Sequence, residues 1–346
     1  MTEILEKPRC MTPKETYTFD YPQILDLETK QMENFWLPKE PKVDKDLHCI
    51  LSDMSEEEKH GITTCLKLFT LYELVVGNEY WGGRFKRMFP RPEFQRLASV
   101  NAMVELNIHA PFYNDINILL GLATDEFYSS YANDPILNDR MEFIDNIVGH
   151  KGTIIDDLIS LAVFSIVEGA VLYSSFAYLK SFQANGKNKI GAIVSGVDFS
   201  VRDENLHSLG GAMSFLIAIE EMREIGSMTD ELYESLVKTI RDAGMKLAEH
   251  EFRIIDMIFE KGDKDNMKHS MKQFVMSRIN LCLQNLKMPS IFSYDEIGEN
   301  KFATWFYANI NMPTIHDFFV NLGSQYNRDW SESEFKIEGE VYTFEG

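Results

Sequence analysis

The sequence has few cysteines and lacks an export signal. Its 346 residues include Cys10, Cys49, Cys65 and Cys282, which are widely scattered and form no CxxC pair. The N-terminus, MTEILEKPRC, does not have the basic and then apolar layout of a signal peptide. Without paired cysteines or a leader, a disulfide framework has no support. We therefore expect a cytoplasmic protein with free thiols.

Positive charge is also scarce. The chain has 34 basic and 54 acidic side chains, which give a net charge of −20. A surface this negative repels a phosphate backbone, so direct binding to nucleic acid is not expected. The sequence has no Gly/Ser or Gln/Asn tract and no internal repeat, while 45% of its residues are apolar. This composition is typical of a folded globular protein.

One long apolar run requires a test for a membrane span. Residues 158–179 carry a single charge, Glu168, near the middle of the run. A carboxylate is costly at the centre of a bilayer, and the preceding Asp156 and Asp157 make that flank acidic. A helix that is apolar on every side is also what the centre of a large helical bundle requires. We predict a buried helix and no membrane span.

Alternating Val, Ile and Thr patterns that would indicate strands are almost absent, so the predicted fold is all-α. Ser55 and Glu58 have the spacing of a capping box at the start of the first long helix, which we expect to end near Gly82 and Gly83. The predicted helices cover residues 26–36, 55–83, 94–122, 154–182, 192–225, 229–259, 266–288 and 317–322. We divide the chain into an N-terminal arm (1–53), a helical domain (54–323) and an acidic, aromatic tail (324–346).

Four of these helices carry carboxylates or histidines at helical spacing. Glu204 and His207 are three residues apart and therefore share one helix face. Glu105 and His109 are four apart and also project from one side of their helix. Glu168 lies within the apolar run described above. Glu73 has apolar neighbours on both sides, and the six residues together define a candidate cluster.

Burying several carboxylates without a partner is costly, whereas two divalent cations would remove that cost by coordination. One Glu from each of two helices and a Glu and His pair from each of two others is the ligand set of ferritin-like di-iron and di-manganese bundles. We therefore predict an all-α, ferritin-like bundle with a dimetal-carboxylate centre.

The sequence also resembles the small, radical-generating subunit of class I ribonucleotide reductase, from about Tyr21 to Arg328. The matching landmarks, in order, are QMENFW ending at Trp36, the helix around Glu73, His109 followed by Tyr113, Glu168 followed by Phe176, RDENLH at 202–207 and DFF at 317–319. The resemblance implies a ribonucleoside-diphosphate reductase small subunit, which supports deoxyribonucleotide biosynthesis for DNA replication.

The same resemblance implies roles for individual residues. The metal ligands are Glu73, Glu105, His109, Glu168, Glu204 and His207. Tyr113 would carry a stable radical, shielded by apolar side chains such as Leu172 and Phe176. Trp36, Asp203 and His109 would form a hydrogen-bonded relay, and Tyr342 in the tail would pass the oxidising equivalent onward.

The implied partners are a second copy of the chain in a homodimer and a large catalytic subunit docked through the C-terminal tail. The implied cofactor is a pair of metal ions per chain. An iron pair is the first expectation, with a manganese–iron or dimanganese pair as alternatives. An activating flavoprotein remains open as a further partner.

Two positions depart from the family pattern. The family usually has ExxH where this chain has Glu105 and His109 in an ExxxH spacing, and Pro111 removes a backbone donor just beyond. We predict a local helix bulge that brings Glu105 into the ligand position. The second departure is Glu73, where many members carry Asp. The longer side chain of Glu moves the carboxylate and so affects which metal ion is preferred.

Two other functions remain as alternatives, namely a ferritin-like iron store and a dimetal oxidase or oxygenase with its own small substrate. Among the remaining polar residues, we interpret the acidic pair Glu220 and Glu221 as a solvated helix end. Glu249, His250 and Glu251 point in different directions on a helix, so we place them at the surface or behind the ligands.

Overall fold

The computed structural model describes residues 5–149 and 152–307, and every regular element within these ranges is helical. The α-helices are α1 (Pro22–Glu33), α2 (Glu56–Val75), α3 (Lys86–Met88), α4 (Pro92–Val104), α5 (Ala110–Leu119), α6 (Asp125–Ser129), α7 (Pro135–Val148), α8 (Ile154–Ala170), α9 (Tyr173–Lys180), α10 (Gly191–Glu224), α11 (Asp230–Ile258), α12 (Met267–Asn285), α13 (Tyr294–Ile297) and α14 (Lys301–Phe306). Wider, π-helical turns cover Cys49–Asp53, Val76–Phe85 and Glu105–His109. Short 3₁₀ turns cover Arg9–Met11, Val43–Asp46, Ser130–Asn133 and Ser181–Gly186. The all-α prediction is confirmed.

Helix starts follow local capping rules. The Ser55 hydroxyl accepts a hydrogen bond from the Glu58 N–H, and the Glu58 carboxylate accepts one from the Ser55 N–H at 2.9 Å, which is the predicted capping box. Thr153 and Asp156 repeat this arrangement at α8, and the Thr229 hydroxyl caps α11. Because these caps are local, the helix starts near 55, 154 and 229 were predictable from the sequence.

The expected end of the first long helix was wrong. The helical chain does not stop at Gly82 and Gly83 but continues through the wide turn Val76–Phe85 to Met88. A Cβ atom at Gly82 would lie 2.9 Å from the carbonyl oxygen of Gly77. The missing side chain therefore permits the wide turn, and the glycine marks a distorted helix instead of a terminus.

The predicted helix 154–182 is also corrected, since it is broken into α8 and α9. Val171 is extended and Leu172 has a left-handed backbone with φ of 71°. Neither Val171 nor Leu172 is Gly or Pro, and the nearby Gly169 lies inside the last turn of α8. Helix α7, which the hydrophobic pattern did not identify, starts at Asp134, whose carboxylate accepts from the Ile136 N–H.

Helix α8 is the centre of the bundle. From Leu158 to Ala170 it is buried almost completely, and it is covered by α7, α10, α11 and α12. The apolar run is thus buried, as predicted, although it forms two helices, α8 and α9, instead of one. Among the described residues, none of the helices has the length and hydropathy needed to span a bilayer.

The N-terminal arm packs on the end of α10. Glu221 accepts hydrogen bonds from the Cys10 N–H at 2.7 Å and from the Tyr21 hydroxyl at 2.6 Å. The interpretation of Glu221 as a solvated helix end was therefore wrong, because the arm covers it. The predicted helix 317–322 and the tail 324–346 lie outside the described residues.

Candidate metal centre

The six predicted ligands meet between four helical segments. Potential ligand atoms of Glu73, Glu105, His109 and Glu204 lie within 4.8 Å of one another, and the same holds for Glu105, Glu168, Glu204 and His207. All six side chains are buried. Because Glu105 and Glu204 belong to both groups, the geometry is that of two adjacent cation sites with shared carboxylates.

The predicted bulge is present as the π-helical turn Glu105–His109. A wider turn absorbs one extra residue, so two side chains four apart take the relative positions that side chains three apart have in a regular helix. Glu105 Oε2 lies 2.9 Å from His109 Nδ1, and Glu105 Oε1 lies 2.6 Å from His207 Nδ1. Glu105 therefore points into the cluster, between both histidines, and its binding of a metal ion remains a prediction.

Two buried atoms of the cluster, Glu73 Oε1 and His207 Nε2, have no hydrogen-bond partner among the described residues. Glu105 Oε1, both carboxylate oxygens of Glu204 and His207 Nδ1 lie within 3.5 Å of oppositely charged groups of the cluster but form no regular hydrogen bond with them. Buried polar atoms are usually hydrogen-bonded, so acceptors that converge in this way form a candidate cation site. The donor set of carboxylate oxygens and imidazole nitrogens suits iron and manganese.

The electrostatics of the cluster support the same interpretation. Burial and the charges of Glu105 and Glu204 raise the pKa of Glu73 well above its usual value, and burial with the same two charges raises that of Glu168. Burial lowers the pKa of His207, but the charge of Glu105 outweighs it and raises that pKa to about 9. These pKa shifts reflect the concentration of negative charge in a buried space, which two divalent cations would also neutralise.

Asp203 connects the cluster to Trp36. Its Oδ2 accepts hydrogen bonds from Trp36 Nε1 at 2.8 Å and from His109 Nε2 at 3.0 Å. Its Oδ1 accepts a third from Gln31 Nε2 at 2.8 Å, which the sequence analysis did not anticipate. With Nε2 bonded to Asp203, His109 turns Nδ1 toward the carboxylates of the cluster.

Tyr113 lies one helical turn beyond His109 and is completely buried. Its ring stacks on Phe69 with centroids 4.2 Å apart, and Phe69 stacks in turn on Phe176. The Tyr113 hydroxyl forms no regular hydrogen bond with the described part of the chain, and burial raises its pKa well above the usual value. The phenol is therefore held neutral and away from water. The packing role of Phe69 was not predicted.

Trp81 is a further residue at the cluster that the sequence did not reveal. Its Nε1 donates a hydrogen bond to Glu168 Oε1 at 2.9 Å, and its ring lies 5.7 Å from that of His207. Trp81 belongs to the wide turn Val76–Phe85, eight residues after Glu73. The direction of the Trp81 side chain could not be predicted on the assumption of a regular helix.

The Glu249, His250 and Glu251 segment contributes nothing to either ligand group. Glu249 is exposed and pairs with Lys246, whereas Glu251 is buried and forms an ion pair with Arg140 at 3.0 Å. Of the predicted site residues, Tyr342 lies outside the described residues.

A family model described as "Ribonucleotide reductase, small chain" matches residues 14–300. The "Probable ribonucleoside-diphosphate reductase small subunit 048L" of Invertebrate iridescent virus 3 is 23% identical over 94% of this chain and 89% of its own length. The dimanganese(II)-NrdF structure from Streptococcus sanguinis is similar with a TM-score of 0.70 and 19% identity, over 84% of this chain and 97% of that one. The Rnr4 homodimer of Saccharomyces cerevisiae is similar with a TM-score of 0.68 and 16% identity, over 86% and 93%.

Proposed function

The chain belongs to the ribonucleotide reductase small-chain family, and from this premise we propose that it generates and stores the radical that a class I large subunit uses to reduce ribonucleotides. The observation that carries the proposal is the pair of overlapping ligand groups, with the buried Tyr113 one turn from His109. Ribonucleoside diphosphates are the proposed substrates, because the curated relatives are named diphosphate reductases.

The family is one of dimetal-carboxylate proteins, and the buried cluster fits two ions. We propose that Glu73, Glu105, His109 and Glu204 hold one ion and that Glu105, Glu168, Glu204 and His207 hold the other. When bound, the pair supplies the oxidising power that oxygen reduction releases. Iron in both positions is the first candidate, and manganese in one or both is the alternative, for which an activating flavoprotein is a candidate partner.

The residues around the cluster would hold and move the oxidising equivalent. Tyr113 would give up an electron and its phenolic proton, and its ring would then be protected by the stack with Phe69. Asp203 Oδ2 holds the proton on His109 Nε2 and accepts the Trp36 N–H at the same oxygen. This short chain of hydrogen bonds supports a relay from Trp36 to the cluster.

Two protein partners complete the proposal. Small subunits of this family are homodimeric, and we propose the same assembly here. We further propose that the tail 324–346 docks on the large subunit and that Tyr342 passes the oxidising equivalent to it. Acidic residues interleaved with aromatics suit a segment that orders on a partner. The four free cysteines support a cytoplasmic location.

One observation favours a second candidate, a dimetal oxidase with its own small substrate. A cavity of about 220 Å³ is lined by Tyr72, Val76, Tyr80 and Phe164, and Phe164 lies one turn before Glu168. An oxidase would act without any second protein. The test is reduction of a ribonucleoside diphosphate by metal-loaded chain, with and without a class I large subunit from the same source. Turnover that depends on the large subunit supports the proposal, and oxidation of a small molecule by the chain alone would favour the oxidase.

A further inference from the structure

The helix that carries Glu168 breaks two residues after it. Helix α8 ends at Ala170, Val171 is extended, and α9 begins at Tyr173. Between them Leu172 has φ of 71°, although it is a buried leucine. A bulky residue adopts this backbone only where the surrounding contacts impose it. The end of α8 is therefore held in place by its neighbours.

Arg278 on α12 is the side chain that contacts this break. Its Nε donates a hydrogen bond to the Gly169 carbonyl oxygen at 2.8 Å, next to Glu168 in the chain. Its guanidinium lies 3.9 Å over the ring of Tyr173, and one terminal nitrogen donates to the Tyr307 hydroxyl at 3.0 Å. One planar group thus joins the last turn of α8 to the first residue of α9.

Arg278 is buried, and none of the carboxylates within residues 5–149 and 152–307 forms an ion pair with it. By contrast, Arg140, which is buried to the same extent, pairs with Glu251. The charge of Arg278 is stabilised instead by the carbonyl end of α8 and by the face of Tyr173. A buried cation is costly unless it has such partners, so its contacts with the break are specific.

The same turn is also closely packed. A Cβ atom on Gly169 would lie 2.4 Å from Cys282 Sγ and 2.5 Å from Ser208 Oγ. The backbone beside Glu168 is therefore confined by side chains of α10 and α12 and is also tied by Arg278. Rotation of this turn would move the Glu168 carboxylate directly.

We propose that Arg278 is a positioning residue that fixes the last turn of α8 and so aims Glu168 at the cluster. This inference rests on the proposed function, because it requires two cation sites. Glu168 belongs to only one of the two ligand groups. Loss of Arg278 therefore weakens the site that contains Glu168 and spares the site that contains Glu73. If Arg278 contributed only to general stability, its loss would weaken both cation sites equally.

The test is a Mn(II) titration of metal-free, full-length chain, followed by calorimetry and electron paramagnetic resonance. For Arg278→Met we expect one of the two sites to weaken about 10- to 100-fold, as is typical when the support of a ligand is lost. Glu168→Gln and Glu73→Gln provide the reference spectra for loss of either site, and Arg278→Met should match the first. Arg278→Lys keeps a positive charge near Gly169 but loses the planar guanidinium with its separate N–H donors. It should therefore weaken the same site by less than Arg278→Met does.

The matched control replaces another buried arginine, Arg91, together with its partner Asp20. Arg91→Met combined with Asp20→Asn removes an ion pair between the start of α4 and the N-terminal arm and should leave both Mn(II) affinities unchanged. The inference would be overturned if Arg278→Met and Arg278→Lys each weakened the two sites equally. It would also be overturned if both variants bound Mn(II) with the affinities of the parent. Failure of the parent to bind two ions would overturn the proposed function and this inference with it.

Discussion

His109 Nε2 lies 3.0 Å from Asp203 Oδ2, and this contact leaves the other ring nitrogen, Nδ1, directed at the carboxylate cluster. Trp36 Nε1 donates to the same oxygen at 2.8 Å. The side of His109 that faces the carboxylate cluster and the side that faces Trp36 are thereby separate. Changes on the Trp36 side should therefore leave the cluster intact.

Trp36→Phe tests this separation. Phenylalanine keeps most of the packing against Phe112 and Phe199 but removes the donor to Asp203. We expect metal stoichiometry to stay at two per chain, while turnover with the large subunit falls at least 100-fold. Metal content and nucleotide reduction are the measurements. A variant with parental turnover would exclude Trp36 from the relay.

Trp81→Phe should act on the opposite side of the cluster. It removes the donor to Glu168 Oε1 and leaves that buried oxygen unpaired, which costs about 1–3 kcal/mol. We expect a lower free energy of unfolding in urea for the metal-free variant. The control is Trp305→Phe on the peripheral α14, where the loss should be smaller. Equal losses in both variants would contradict a specific role for Trp81.

Deletion of Asn107 tests the wide turn. Removing one residue from Glu105–His109 should convert it to a regular helical turn with ExxH spacing and keep both side chains on the cluster. We expect two-metal binding to persist. Deletion of Ser195 from the regular helix α10 should instead abolish it, because that change rotates the flanking residues by about 100°. Loss of metal binding on deletion of Asn107 would show that the extra residue is required.

The stability of the metal-free chain should fall as the pH rises. The pKa of His207 is raised to about 9 in the folded chain, so its stabilising contribution is complete below pH 6.5 and lost as the pH passes 9. The raised pKa values of Glu73 and Glu168 act in the same direction, because a buried carboxyl group that must ionise destabilises the fold. Urea unfolding between pH 6.5 and 9.5 measures this slope. Bound metal ions should reduce this dependence of stability on pH. An equal slope with and without metal would contradict the idea that protons and metal ions compete for the same residues.

The parts of the site that were predictable depend on regular helices and local spacing. Glu204 and His207 lie on an unbroken α10, so their shared face follows from a separation of three residues. The capping box at Ser55 is equally local. For Glu105, the ExxxH spacing and Pro111 together indicate a helix distortion from the sequence alone.

The unpredicted parts depend on irregular backbone and on packing between distant segments. Trp81 reaches Glu168 only because the turn Val76–Phe85 is wide. The break falls at Val171 and Leu172, neither of which is Gly or Pro, and Arg278, which contacts it, lies more than one hundred residues along the chain. Gln31 meets Asp203 only when α1 packs against α10. No local pattern in the sequence encodes these contacts.

The most direct test of the account is electron paramagnetic resonance on metal-free chain that is reloaded with Fe(II), Mn(II) or both and exposed to oxygen, compared with Tyr113→Phe. The buried, unpaired phenol of Tyr113 beside the cluster predicts a tyrosyl signal in the parent and none in the variant, with equal metal content in both. The metal mixture that yields the signal would identify the active pair. A coupled metal signal that is unchanged by Tyr113→Phe, with no tyrosyl signal under any loading, would contradict storage of the radical on Tyr113.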